Sequence, residues 1–259
     1  MKAGLLVGKI RGGKATLYCK VENQRDTVEF YIRGTNPTEQ AVKDYINEQG
    51  YDLWFLTRLI RQESNYLHFN TGTNYGPNWD NTQGCPNWGP PHGWGLMQLD
   101  ALNQQIGDHF VNNRWRPPAQ ALWDWKTNID LGYNFLTEEK WGIANNWISR
   151  QMTQVNRWNA DNPDDPIEHH PDQEEGQGTR IITYTHAASP NFNYTWGRLP
   201  VGLRSFIDAV WIKGYNGNSN GYYYSIVVPQ DPVLKPYWEL RRTNNDNHNY
   251  VGAVSGRQE

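Results

Sequence analysis

Cysteine is scarce in this chain. Cys19 and Cys85 are the only two in 259 residues, so one disulfide is the most they permit. Their spacing fits no metal-binding or redox motif, and they read as free thiols. A basic excess is missing too: 24 Lys and Arg stand against 27 Asp and Glu, which removes the counterion release that holds a nucleic-acid backbone. No run of about 18 apolar residues is present to span a bilayer. The N-terminal stretch Leu5 to Val7 is cut short by Gly8 and Lys9 and fails as a secretory signal, so export is expected to use another route. With 37% hydrophobic and 20% charged residues, the composition excludes a highly charged disordered chain. No internal repeat is found.

What is abundant is ring surface with a polar handle: 13 Trp and 15 Tyr against 7 Phe. Such rings suit platforms beneath sugars, and they equally suit a ring-rich core under long loops.

Along the chain, Ala15 to Val21 and Thr27 to Ile32 read as strands separated by the polar run Glu22 to Asp26. Asn36 offers an N-cap, Pro37 a first helical residue and Glu39 the carboxylate of a capping box, so a helix is expected to end at Gly50. A second helix from about Asp52 places Leu53, Leu56, Ile60 and Glu63 in one stripe about 80° wide. A third is signalled by Ile129, Gly132, Tyr133 and Leu136. A fourth is signalled by Leu203, Phe206, Ile207, Val210 and Trp211, ending at Gly214 to Gly217. The acidic stretch 159–178 reads as a solvated insertion, Thr179 to Thr185 as a strand, and the tail from Arg241 as frayed. The fold class is therefore α+β: a β segment over 1–36, then a mainly helical domain over 37–259.

Glu63 carries the chemistry. A carboxyl on an apolar face resists ionisation and can donate a proton, as a glycosidase acid must. The alternative is a buried Glu paired to a structural Arg. No second acid is obvious, since Asp80 and Asp100 fit loop and cap roles equally well. His169 and His170 adjoin Asp172 and Glu174, but adjacent histidines do not readily share one tetrahedral ion on a regular element. No metal and no cofactor are expected.

The motifs Glu63-Ser64, Gly95-Leu96-Met97-Gln98-Leu99, Asn128-Ile129 with Gly132 and Phe135-Leu136, and Tyr215-Asn216-Gly217 resemble, in that order, the lytic transglycosylases of the lysozyme superfamily. The resemblance covers roughly Asp52 to Asn218. It implies a two-lobed, lysozyme-like domain binding peptidoglycan glycan strands. There Glu63 acts first as acid and then as base, and leaves 1,6-anhydro ends without consuming water. Tyr215 matches the tyrosine that orients the acid. Ser64 follows the acid as in the family, Met97 and Gln98 match subsite-lining residues beside Gly95, and Asn216 is a neighbouring group. Met97 also fits core packing, and Gly95 close backbone approach. The interval between Glu63 and Gly95 is longer than the compact family pattern.

Phe30 to Pro37 and Trp123 to Asn128 are similar to transglycosylase-type domains of type VI secretion and phage-related proteins. That similarity implies a secretion-apparatus or phage-tail context, action in the periplasm or cell wall after delivery, and an immunity protein as a further partner. The competing functions are a muramidase or chitinase using Asp80 or Asp100 to activate water, a glycan-binding module, and a structural component of a tail or secretion assembly.

Overall fold

A computed structural model describes residues 12–72, 82–89, 93–100, 117–171, 179–184, 193–197, 205–216, 224–243 and 250–257. The chain is α+β and divides into two compact units, Met1–Asn134 and Phe135–Glu259. The division between the units falls within the third sequence-predicted helix, at a point that no shift in composition marks.

The first unit opens with a two-stranded antiparallel hairpin of β1 (Gly13–Val21) and β2 (Gln24–Ile32). The helix that follows is Glu39–Glu48. Its N-cap is Thr38, whose hydroxyl accepts from Ala41 N at 3.1 Å, and not Asn36. The Asn36 amide is engaged elsewhere: Oδ1 accepts from Phe69 N at 2.6 Å while Nδ2 donates to Phe69 O at 2.9 Å. Together with Gly34 N to Gly84 O at 2.8 Å, these bonds fasten the exit of β2 to the segments around Phe69 and Gly84. Gly50, at φ +69, follows the end of the helix in the left-handed conformation expected of a C-terminal glycine.

The next helix is Leu56–Ser64. It starts four residues later than expected, because the chain at Leu53 makes a turn in which Leu56 N donates to Leu53 O. Leu56, Leu59, Ile60 and Ser64 are its buried residues. The short antiparallel pair of β3 (Trp88–Gly89) and β4 (Gly93–Trp94) and two short helices, Ala119–Trp123 and Trp125–Asn134, complete the described part of this unit. Tyr45 and Tyr51 both donate to Asp130 Oδ1, at 2.6 and 2.9 Å, and so tie the first helix and its exit to the Trp125–Asn134 helix. Burial, followed by these bonds, pushes the Tyr51 phenol up to about 12.

The second unit begins with a π-helical turn, Phe135–Lys140, and the 21-residue helix Trp141–Asp161. Ala144, Ile148 and Val210 form its core cluster, flanked by Trp147, Phe206 and Trp211. The helix Phe206–Tyr215 is capped by Ser205, whose hydroxyl accepts from Asp208 N. Leu203 lies outside the described residues. A four-stranded mixed sheet, absent from the sequence reading except for the strand Thr179–Tyr184, has the order β6 (Asn193–Gly197), β5 (Thr179–Tyr184), β8 (Tyr237–Thr243), β7 (Tyr224–Val227). β5 and β8 run parallel. Gln151 Oε1 accepts from Ile226 N and Trp147 Nε1 donates to Tyr224 O, which joins the long helix to β7.

One expectation is refined here and one is corrected. The described part of the 159–178 stretch is mostly exposed, as a solvated insertion is, but it is pinned to the long helix at Ile167, which is buried and whose N–H and C=O both bond the Asn159 amide. The described parts of the tail are regular: Arg241 to Thr243 belong to β8 and Tyr250–Ser255 form a helix, in which Tyr250, Val251 and Val254 find a buried position. No helix among the described residues is long and apolar enough to cross a membrane.

Candidate functional site

Glu63 is the penultimate residue of the Leu56–Ser64 helix and is half-buried. Ser64 beside it is buried, and its hydroxyl donates back to Ile60 O at 3.1 Å. This uses the hydroxyl within the helix and directs it away from any ligand. The helix stops abruptly: Asn65 and Tyr66 are both left-handed, at φ +50 and +62. Asn tolerates that region as a helix end, but a bulky Tyr is costly there, so Tyr66, three residues beyond the candidate acid, is the strained position. Tyr66 is held by burial of its ring and by its hydroxyl donating to Thr57 O.

From this turn the chain is laced to the Gly95 segment. Asn87 N donates to His68 O, Asn87 Nδ2 donates to Leu67 O, and Gly95 N donates to Asn87 O. His68, fully buried, accepts at Nδ1 from Leu96 N at 3.4 Å, so its Nε2–H donates to Leu122 O at 3.0 Å. Both ring nitrogens are thereby assigned and the neutral tautomer is selected. Burial, only partly offset by the Leu122 carbonyl, pushes its pKa down to about 4.

Asn128 is the second buried polar anchor, with no exposed surface. Its Oδ1 accepts from Met97 N at 2.9 Å, and its Nδ2 donates to Trp94 O at 3.1 Å and to Ala121 O at 3.2 Å. One amide therefore fixes both ends of the Trp94–Met97 turn. Gly95 sits at φ +72, and a Cβ there would lie 2.6 Å from Asn128 Nδ2 and 2.7 Å from His68 Nδ1. Close approach decides this position. Met97 is fully buried, and a Cβ on Gly132 would meet its Cγ at 2.6 Å. The Met97 side chain thus packs in the core and does not face solvent. Gln98 is half-buried and left-handed at φ +46, with Nε2 donating to Gly95 O at 2.9 Å. Its side chain fits between Gly89 and Gly93, on the short β3 (Trp88–Gly89) and β4 (Gly93–Trp94) pair.

Tyr215 and Asn216 belong to the second unit. Tyr215 ends its helix half-buried, its ring edge-on to Phe135 at 6.1 Å. Asn216 is the exposed C-cap, and its Oδ1 accepts from Lys213 Nζ at 3.4 Å. Within the first unit the structure thus gathers Gly95, Met97 and Gln98 around Asn128 and His68, along the chain leading from Glu63 and Ser64. Asp100 is exposed. Asp80, Asp172 and Glu174 lie outside the described residues, and His169 Nε2 is 3.1 Å from Asn156 Oδ1. Among the described residues no three His, Cys, Asp or Glu side chains gather as metal ligands. Both cysteines are free, Cys19 exposed and Cys85 buried under the Arg33 guanidinium.

His68 escaped the sequence reading because a single histidine in an apolar context carries no motif. The only signal was its distance of five residues from Glu63. The chain matches no family model, and no curated protein or solved structure matches it either.

Proposed function

We propose that the protein is a peptidoglycan lytic transglycosylase with a lysozyme-like catalytic domain. One observation carries the reading: the second and third sequence motifs, about 30 residues apart, meet through named contacts, and the segment just beyond the first motif bonds the second at His68. Asn128 of the third motif bonds Met97 and Trp94 at the second, Gly132 makes room for Met97, and His68, just beyond Glu63 and Ser64, bonds Leu96. Convergence of this kind is what a site assembled from those motifs requires, and chance matches scattered over an unrelated fold have no reason to meet.

In this reading Glu63 protonates the glycosidic oxygen between N-acetylmuramic acid and N-acetylglucosamine, and the C1–O bond breaks. The muramyl N-acetyl group stabilises C1. The C6 hydroxyl of the same sugar then forms the new bond to C1 and returns its proton to Glu63. Water is neither consumed nor released, so a second carboxylate is not needed. Gln98 and the Gly95 turn contribute to sugar subsites, with Met97 supporting that turn from the core.

The test is digestion of purified peptidoglycan by the wild type and by Glu63→Gln, with mass analysis of the released muropeptides. Wild type is expected to release anhydro-muropeptides, and Glu63→Gln to lose about three orders of magnitude of rate or more. Products heavier by one water would replace this reading with a muramidase. Wall binding without release, by both proteins, would replace it with a glycan-binding module.

A further inference from the structure

The hairpin carries a surface that the glycan reading does not use. Its register places five cross-strand pairs on one face: Gly13–Ile32, Ala15–Phe30, Leu17–Val28, Cys19–Asp26 and Val21–Gln24. The other face carries Lys14–Tyr31, Thr16–Glu29, Tyr18–Thr27 and Lys20–Arg25, with Lys14 Nζ 2.7 Å from Glu29 Oε1. The first face is therefore almost wholly apolar and lies open, while the second mixes charges with the exposed rings of Tyr18 and Tyr31. Leu17 is 61% exposed, Val21 65%, Val28 56%, Phe30 44% and Ile32 43%. A lone two-stranded hairpin is marginal in water without a cover on such a face. Nor is it a loose appendage, because the Asn36–Phe69 and Gly34–Gly84 bonds hold its base.

We propose that this face is where two copies of the chain associate, sheet against sheet. The exposed fractions of the five apolar residues amount to between two and three whole residues, roughly 500 Å² per copy and about 1,000 Å² for the pair. That is below the roughly 1,200–2,000 Å² of a stable interface and within the range of transient ones, so the dimer is weak and dissociates on dilution. The face is suited to pairing with itself. Leu17–Val28 is the middle of its five pairs, and a twofold axis there lays Ala15–Phe30 over the Cys19–Asp26 pair of the second copy. Asp26, the one carboxylate on this face, then falls at opposite ends of the interface in the two copies, so like charges do not oppose each other.

Sedimentation of the full chain between about 1 µM and a few hundred µM tests the inference. The wild-type mass is expected to rise with concentration toward twice that of one chain. Val28→Lys and Leu17→Glu are expected to hold the single-chain mass, with association weakened at least about tenfold. Thr27→Lys, the neighbouring residue on the other face, is expected to associate as the wild type does. Both apolar positions are largely outside the core, and an unchanged near-ultraviolet circular dichroism spectrum confirms that each variant remains folded. A wild type of single-chain mass throughout, or a Val28→Lys and Leu17→Glu pair that still associates normally, overturns the proposal. None of this depends on glycan cleavage, so failure of either reading leaves the other standing.

Discussion

The hairpin and the Gly95 turn invert the usual distribution of polarity in opposite senses. On the hairpin, Leu17, Val21 and Val28 stand in water. Around the turn, His68 and Asn128 are buried completely. The energetic standing of the two regions nevertheless differs. Each polar atom described at the turn has a partner, so Asn128 and His68 act as fasteners and not as penalties. Polarity alone does not decide what a region tolerates; the supply of partners does.

The sharpest way to break this comparison is to remove a partner from the buried side. Asn128→Ala strands Met97 N–H and two carbonyls, and a stability loss of about 3–5 kcal/mol is expected by urea denaturation. An effect below about 1 kcal/mol would mean that water replaces the amide and that the turn is not held as described. Next in size is the response to acid. The folded-state value of His68 is depressed to about 4 against about 6.5 when unfolded, so the unfolded chain takes up the proton first as pH falls. The sign follows directly: this group leaves stability undiminished above about pH 6.5 and lowers it progressively down to about pH 4, by about 3 kcal/mol in all. Denaturation midpoints followed across that window should show the slope in the wild type and not in His68→Gln. Smallest is the effect on the exposed side. Leu17→Ser is expected to change the stability of the single chain by no more than about 0.5 kcal/mol, as read at protein concentrations below association. A loss of several kcal/mol would place Leu17 in a core and erase the contrast.

The sequence made the fold class and several elements legible because their signals are local. The hairpin strands follow from β-branched and aromatic runs around a polar turn, and the Phe206–Tyr215 helix from apolar residues at i, i+3 and i+4. The first helix shows where local signals stop. Asn36, Thr38 and Glu39 all suit a helix start, and the choice of Thr38 was settled by Phe69, 33 residues away, which engages the Asn36 amide. The mixed sheet was missed for the same reason, since the parallel pairing of β5 with β8 joins residues about 60 apart in the chain. At the candidate site, motif order pointed to Gly95, Met97 and Asn128. Burial then assigned Met97 to the core and Gly95 to close approach, a distinction that depends on neighbours the sequence does not display.

The double bond of Asn36 to the Phe69 backbone has a consequence for sequence space. Its side chain presents an acceptor and a donor side by side, at a reach of one methylene, to a single peptide's N–H and C=O. Asp would turn a second acceptor toward the Phe69 carbonyl, and Gln would overreach by a carbon. Ser or Thr would bring one oxygen where two atoms are needed. Among these side chains only Asn makes both bonds from position 36, so a change there loosens the path that joins the hairpin to the Glu63 region at a cost of about 1–3 kcal/mol.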